Sequence, residues 1–248
     1  MATVIIPSVT NPGVSFTRNS CTILRNICDH FSGCNRHFIP YKEFQESYQE
    51  VDPKGDSKIR MLFPLYRKAG CIYPDEDGSV LFKNGSFLTQ LGESFYKISC
   101  LYYDALDRAK LILKENRSEA DVIIHKARSL YASIAKTLFS NLIESEDVYK
   151  HLLTFVRTYS PVVKDEVSLL LYALEKTSTI RGSVVRCDYN SSEVNQLIVG
   201  YRAGNIRLRQ EHANNAVQYF MAVMKTLLIV DVSSAGYTLT EESVNLLI

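Results

Sequence analysis

A helix end, several short strands and a new helix start follow one another in residues 66–95, YRKAGCIYPDEDGSVLFKNGSFLTQLGESF. Gly70 stands where a helix would stop, and turn-forming residues occupy 74–78 and 84–85. Thr89 can cap the next helix, because its hydroxyl can accept a hydrogen bond from a free amide of the first turn. The apolar runs between the turns predict short strands at 71–73, 80–82 and 87–88.

Three helices are predicted before this segment, each from apolar residues at three- and four-residue spacing. The first begins at Ser20 and stops at Gly33, the second spans 41–51, and the third spans 57–69. Residues 1–19 carry no helical period, so they predict an extended arm with room for a short strand.

A second hairpin and helix cap are predicted near the end of the chain. A helix at 191–201 and a longer helix from Arg207 to Leu227 or Leu228 precede this hairpin. Its strands are predicted at 229–232 and 237–239, and Thr240 caps a final helix. The dipeptides Leu88-Thr89 and Leu239-Thr240 hold the same place in the two hairpins, which indicates a structural repeat.

The order helix, helix, helix, hairpin and closing helix in residues 20–99 resembles the winged-helix family, and residues 66–95 carry the resemblance. The predicted fold class is mainly α with small β-hairpin wings (α+β). Two winged-helix-like units are joined by a helical connector in this prediction. The division is an arm at 1–19, a first unit at 20–99, a connector at 100–160 and a second unit at 161–248.

Basic residues are concentrated beside both predicted hairpins. Between Lys54 and Lys68 there are five basic residues and one acid, Asp56, and no acid lies between Gly200 and Gln210. A DNA-binding protein of this kind holds phosphates with basic and polar side chains that flank a helix in the major groove. The predicted DNA-binding residues are Lys58, Arg60, Arg67, Lys68 and Lys83 in the first unit, and Arg202, Asn205, Arg207, Arg209 and Gln210 in the second. The competing interpretation is a solvated helix face.

The predicted function is therefore binding of double-stranded DNA. The arrangement also resembles the DNA-recognition part of some multi-domain restriction endonucleases, in which a separate nuclease domain cuts. That resemblance implies a recognition module of a restriction or defence system, whose chemistry a partner subunit or another domain supplies. Two alternatives stay open: a winged-helix module for protein assembly, and a transcription regulator that binds as a symmetric dimer.

No catalytic motif, phosphate-binding glycine loop or cofactor site is recognisable in the sequence. Cys28, His30, Cys34 and His37 are of the residue types that bind zinc, but Cys28 and His30 lie on different faces of one predicted helix. The run Asp56-Ser57-Lys58 has part of a nuclease motif but no strand before it. Neither a catalytic residue nor a metal ligand is predicted, and the zinc question stays open.

The composition is that of an ordinary globular protein. The 28 basic and 27 acidic residues give a formal charge of +1, so a nucleic-acid surface must be local. No apolar run approaches the roughly 20 residues that a membrane-spanning helix requires. Together with six cysteines suited to reduced thiols, this predicts a cytoplasmic protein, or a nuclear one if the host has a nucleus.

Overall fold

The chain forms two units in the computed structural model, which describes residues 1–210 and 215–244. We call Gly13–Asn141 the central unit, and Met1–Pro12 together with Leu142–Ile248 the terminal unit. Both units are mainly helical with two-stranded sheets, which confirms the fold class at that coarser level. The residues of the predicted connector, 100–160, are divided between the two units.

The described residues form helices and short strands. They are β1 (Ala2–Ile6), α1 (Arg18–His30), β2 (Phe38–Pro40), α2 (Tyr41–Gln49), α3 (Gly55–Lys68), β3 (Ser79–Leu81), α4 (Gln90–Ile112), α5 (Arg117–Ser145), α6 (Asp147–Tyr159), α7 (Lys164–Thr177), α8 (Ser191–Arg202), β4 (Ile206–Gln210), α9 (Ala216–Thr226), β5 (Val230–Ser233), β6 (Gly236–Leu239) and α10 (Glu241–Val244).

Aromatic side chains fill the core of the central unit. The rings of Phe31 and Phe44 stack with centroids 4.0 Å apart, and Phe63 stacks on Phe87 at 5.5 Å. β2 pairs antiparallel with β3, so that Ile39 lies opposite Val80 and both are buried. The strand β2 was not predicted, because three residues are too few to show an alternating pattern.

The predicted N-terminal arm is held by its neighbours along much of its length. Its first residues form β1, and Val4 and Ile6 are buried. Val14 donates a backbone hydrogen bond of 3.1 Å to the carbonyl of Met61 in α3, and Phe16 is fully buried. The short strand expected within this arm is present as β1, whereas the last two residues of the arm already belong to α1.

The terminal unit contains a parallel pair of strands that are about two hundred residues apart in the chain. β1 pairs with β4 in the register Thr3 opposite Arg207 and Ile5 opposite Arg209. Its buried side packs against helices: a Cβ atom at Gly200 of α8 would lie 2.9 Å from the side chain of Ile206. Glycine at position 200 thus permits the close approach of α8 to β4.

The predicted helix from Arg207 to Leu227 or Leu228 was wrong. Residues 206–210 form β4, residues 211–214 lie outside the described residues, and the helix α9 begins only at Ala216. Residues 206–210 form a strand because β1 supplies partners for the backbone amides and carbonyls of β4, and a pairing of such long range leaves no local signal. Arg207 and Arg209 therefore lie on a strand and not on a helix.

Both units contain the same hydrogen-bonded arrangement around their hairpins. After α3, Gly70 donates to the carbonyl of Arg67 and Cys71 donates to that of Tyr66; after α9, Leu228 donates to Lys225 and Ile229 to Met224. Gly70 and Leu228 both have positive φ, at 80° and 56°. The hydroxyls of Thr89 and Thr240 donate to the carbonyls of Gly70 and Leu228, each over 2.6 Å. These matching contacts support the repeat that the two Leu-Thr dipeptides predicted.

Candidate nucleic-acid interface

Three cations of α3 are already in ion pairs within the central unit. Lys58 pairs with Asp52, and Arg60 pairs with Asp56 over 2.7 Å one helical turn earlier. Arg67 pairs with Asp75, and its side chain is only 19% exposed. The excess of positive charge that the sequence shows between Lys54 and Lys68 is largely balanced by these acids.

Arg67 is a packing residue as well as a cation. Its guanidinium carbon lies 5.3 Å from the ring centroids of both Tyr41 and Phe63. Burial lowers the pKa of Arg67, and burial also raises the pKa of its partner Asp75. The side chain joins α3 to the turn before β3, so little of it is available to a phosphate.

The other two predicted residues of this unit lie near its hairpin. Lys68 is half-buried at the last position of α3. Lys83 is exposed at a tight turn, and its ammonium lies 4.9 Å from the ring centroid of Tyr73. Of the predicted residues in the central unit, Lys83 is the one that combines exposure with a position on the hairpin.

Arg202 is bound to its own unit by several contacts. Its Nε donates to the buried carboxylate of Glu166 over 2.6 Å. Its NH2 group donates to the carbonyl of Tyr159 over 2.8 Å and to that of Pro161 over 3.3 Å. These bonds connect the end of α8 to the start of α7, which indicates a structural role for Arg202.

Arg207 and Arg209 have a different environment. Strand residues alternate between faces, so these two arginines lie on the exposed face of β4 while Val4 and Ile6 of β1 are buried. Among the described residues neither arginine has an ion-pair partner, and neither β1 nor β4 contains an acidic residue. We call Arg207, Arg209, Thr3 and Ile5 the basic sheet face.

Polar residues lie at both ends of β4. Asn205 precedes the strand with its side chain exposed, and its backbone carbonyl accepts from Ala2 over 2.8 Å. Gln210 is exposed at the end of the strand, where it pairs with Ile6. Asn205, Arg207, Arg209 and Gln210 thus belong to one short segment, in which Gln210 lies on the opposite face of β4 from the two arginines.

One exposed cation of the terminal unit, Arg181, was not among the predicted residues. Arg181 is exposed in the loop before α8, and the next residue, Gly182, accepts two hydrogen bonds from Thr10, at 2.9 and 3.1 Å. Thr10 follows β1 by four residues, so the loop is anchored beside the end of that strand. In the sequence Arg181 is one polar residue of a predicted loop. The contact between Thr10 and Gly182 cannot be predicted from residue spacing.

The candidate zinc residues are not gathered into a site. In the part of the chain that the structure describes, no group of three or more His, Cys, Asp or Glu side chains could hold a metal ion. His30 instead shares a hydrogen bond of 3.0 Å with the hydroxyl of Ser47 and packs edge-on against Phe31. All six cysteines are free thiols.

Within residues 1–210 and 215–244, every helix is too short or too polar to serve as a membrane span. Comparisons with protein-family models, with curated proteins and with solved structures find no match to this chain. Any statement about function therefore depends on the arrangement of its own residues.

Proposed function

We propose that this chain binds double-stranded DNA, and that the basic sheet face of the terminal unit contacts the phosphate backbone. The observation that carries the proposal is the contrast between two sets of cations. Lys58, Arg60 and Arg67 have acidic partners, whereas Arg207 and Arg209 are exposed on a strand with none among the described residues. Charged groups without partners give up no intramolecular ion pair when they bind a phosphate.

The geometry of a strand suits this role. Residues two apart in a strand lie on one face at a separation of about 6.6 Å, so Arg207 and Arg209 can engage successive backbone phosphates together. Their positions are fixed by five paired residues of β1 and by helices on the buried face. Proteins that bind DNA with β-strands insert them in either groove.

The order of elements in the central unit also supports DNA binding. Helix α1, strand β2, helices α2 and α3 and the hairpin segment follow one another as in the winged-helix family, with β2 joined to β3. In the terminal unit α6, α7, α9 and the β5–β6 hairpin repeat this order, and Val162 forms an isolated bridge with Tyr237 of β6. We treat both units as winged-helix-like within this proposal.

The terminal unit departs from a usual recognition helix. In α9, the helix before the hairpin, the buried residues are Ala216, Val217, Phe220, Met221, Val223 and Met224. So apolar a helix is suited to the core and not to a DNA groove. The inserted segment between α7 and α9 carries the cations Arg181, Arg207 and Arg209 instead, so we assign phosphate contact to that segment.

The proposal assigns binding and no catalysis to this chain. Under the restriction-system interpretation a partner subunit or another domain would supply cleavage. Phosphate contacts fix orientation and do not select bases, so sequence preference would come from residues beyond the two arginines, such as Asn205 and Gln210.

The test is the affinity for a mixed-sequence duplex of about 30 base pairs, measured by fluorescence anisotropy over a range of salt. We expect the double variant Arg207→Ala/Arg209→Ala to bind about tenfold or more weakly at moderate salt. The slope of log K against log salt should become shallower by about two, one unit for each lost phosphate contact.

The matched control removes two other exposed cations, Arg25 and Lys42, each already paired with an acid one turn away along its helix. The double variant Arg25→Ala/Lys42→Ala should bind DNA as the native protein does. Absence of native binding at low salt, or equal loss in the two double variants, would overturn the proposal. Thermal melting checks that both variants are folded.

A further inference from the structure

The outer face of α4 carries an ordered stripe of exposed side chains. Leu101, Asp104, Arg108 and Leu111 follow one another at spacings of three, four and three residues, and all four are exposed. This is the spacing of a coiled-coil seam, in which such residues lie on one side of a helix. Leu101 is 60% exposed and Leu111 is 80% exposed. These are the two largest exposed fractions among the leucines that the structure describes.

The core of the central unit contacts the other side of the helix. Phe95, Ser99 and Ala109 are the buried positions of α4 beyond its first turn. Phe95 packs against Phe16 and Tyr131, with ring centroids 5.4 and 6.3 Å apart. The stripe is therefore not needed to hold α4 in place, and its two leucines are left facing water.

The stripe is complementary to itself when a second copy lies antiparallel. A two-fold axis opposite residue 106 places Leu101 beside Leu111 of the other copy, and Asp104 beside Arg108 of the other copy. Each pair occurs twice, so the interface contains two leucine contacts and two opposite-charge contacts. A parallel arrangement would instead place Asp104 against Asp104 and Arg108 against Arg108, which like-charge repulsion disfavours.

The charged groups are available for such contacts. Arg108 has no ion-pair partner among the described residues. Asp104 is 81% exposed in its side chain and only reaches 4.0 Å from Arg18, which also pairs with Asp107. Neither charge would have to leave a buried or close ion pair when a second copy binds.

We propose that two copies of this chain associate through the outer face of α4, antiparallel and with two-fold symmetry, by the pairs Leu101–Leu111 and Asp104–Arg108. A two-fold interface uses the same patch on both subunits, and this stripe is such a patch. The contact involves about three helical turns, so we expect a reversible dimer at the weak end of specific interfaces.

The test is sedimentation equilibrium of the full chain without DNA. The protein concentration is varied over roughly a hundredfold range, up to the hundreds of micromolar. The native protein should show a monomer–dimer equilibrium. Leu111→Lys should raise the dissociation constant about tenfold or more, because it places a charge in the seam. Val199→Lys, at a valine of α8 that is 59% exposed, should leave the equilibrium unchanged.

Exchange of the charges tests the orientation. Asp104→Arg and Arg108→Asp should each weaken self-association, because each variant opposes like charges. An equimolar mixture of the two variants should regain the dimer as a heterodimer, since both 104–108 contacts are then complementary.

Three results would overturn the proposal: a native protein that stays monomeric throughout, a dimer that Leu111→Lys leaves intact, or single charge variants whose mixture does not pair. Because DNA is absent, failure here is independent of the phosphate-binding proposal. Circular dichroism and melting of each variant exclude unfolding as the cause.

Discussion

At the scale of single residues, Arg202 shows how a predicted DNA contact can be a structural contact. Glu166 is 4% exposed in its side chain, and one of its oxygens accepts from Arg202 while the other accepts from the amide of Val163. We expect Arg202→Ala to lower the free energy of unfolding by about 2 to 3 kcal/mol, because it leaves a buried carboxylate with one partner fewer. Urea unfolding at neutral pH measures this change.

A surface ion pair of the same unit provides the comparison. Lys176 pairs with Glu193 over 2.7 Å, and both side chains are substantially exposed. Lys176→Ala should lower the free energy of unfolding by only about 0.5 kcal/mol, since solvent screens such a pair. If Arg202→Ala were no more destabilising than Lys176→Ala, or if it weakened DNA binding while the fold stayed intact, the structural assignment of Arg202 would be wrong.

At the scale of elements, two threonines join a helix end, a hairpin and the next helix start. The Thr89 hydroxyl donates to Gly70 and accepts from the amide of Gly92 over 2.9 Å. The Thr240 hydroxyl donates to Leu228, is 3.0 Å from the hydroxyl of Ser243, and is buried. We expect Thr89→Val to lower the free energy of unfolding by about 1 to 2 kcal/mol, and Thr240→Val to lower it by about 2 to 3 kcal/mol. Valine keeps the shape of the threonine side chain but removes its hydrogen bonds.

The measurement is the free energy of unfolding of each variant by urea denaturation. Thr137→Val is the control, because its hydroxyl makes only a 3.5 Å contact with the carbonyl of Ser133 on an exposed helix face. Equal stability of all three variants would contradict the role assigned to the two caps. A larger loss of unfolding free energy in Thr89→Val than in Thr240→Val would contradict the expectation that the buried hydroxyl of Thr240 contributes more.

The elements that the sequence predicted correctly are those with local signals. Periodic apolar residues located α1, α2, α3 and α8, and turn residues with a threonine cap located β3 and the β5–β6 hairpin. The strands predicted at 71–73 and 87–88 were wrong, because these segments meet only in an isolated bridge between Ile72 and Leu88 while β3 pairs with β2. The strand β2 was missed because its three residues are too few to show an alternating pattern, and β4 was missed because its partner is distant, Arg207 pairing with Thr3. Pairing of this range depends on the whole fold and not on the neighbouring residues.

The predicted site shows the same limit. Composition located the basic residues but did not reveal which acids would neutralise them. Asp75 reaches Arg67 across a turn, and Glu166 reaches Arg202 from 36 positions earlier in the chain. Only the folded arrangement separates Arg207 and Arg209, which stay exposed, from cations whose charge is satisfied.

At the scale of the whole molecule, many ionisable groups are kept neutral by burial. Burial raises the pKa of the Cys21 and Cys28 thiols in the central unit to about 12, and burial likewise raises that of Cys187 in the terminal unit to about 12. The pKa values of the buried phenols Tyr66 and Tyr131 are raised well above the ordinary value for the same reason. The folded protein therefore holds protons that the unfolded chain releases.

Because of this difference, the free energy of unfolding should vary with pH in the alkaline range. Unfolded thiols release their protons near pH 9, whereas Cys21 and Cys28 hold theirs until about pH 12. Between these values the folded state binds more protons, so the free energy of unfolding should fall as pH rises, and its full value should be present below pH 9. We expect the urea midpoint to decrease steadily from pH 8 to pH 11 under reducing conditions.

Cysteine variants identify the thiols as a source of this slope. Cys21→Ala removes one buried thiol, so it should lower the midpoint at every pH through a small cavity but make the decline with pH shallower. Ile27→Val, at a fully buried position of α1 without an ionisable group, should lower the midpoint but keep the native slope. A midpoint that stays constant or rises between pH 9 and 11 would show that ionisation of the buried groups is not coupled to unfolding.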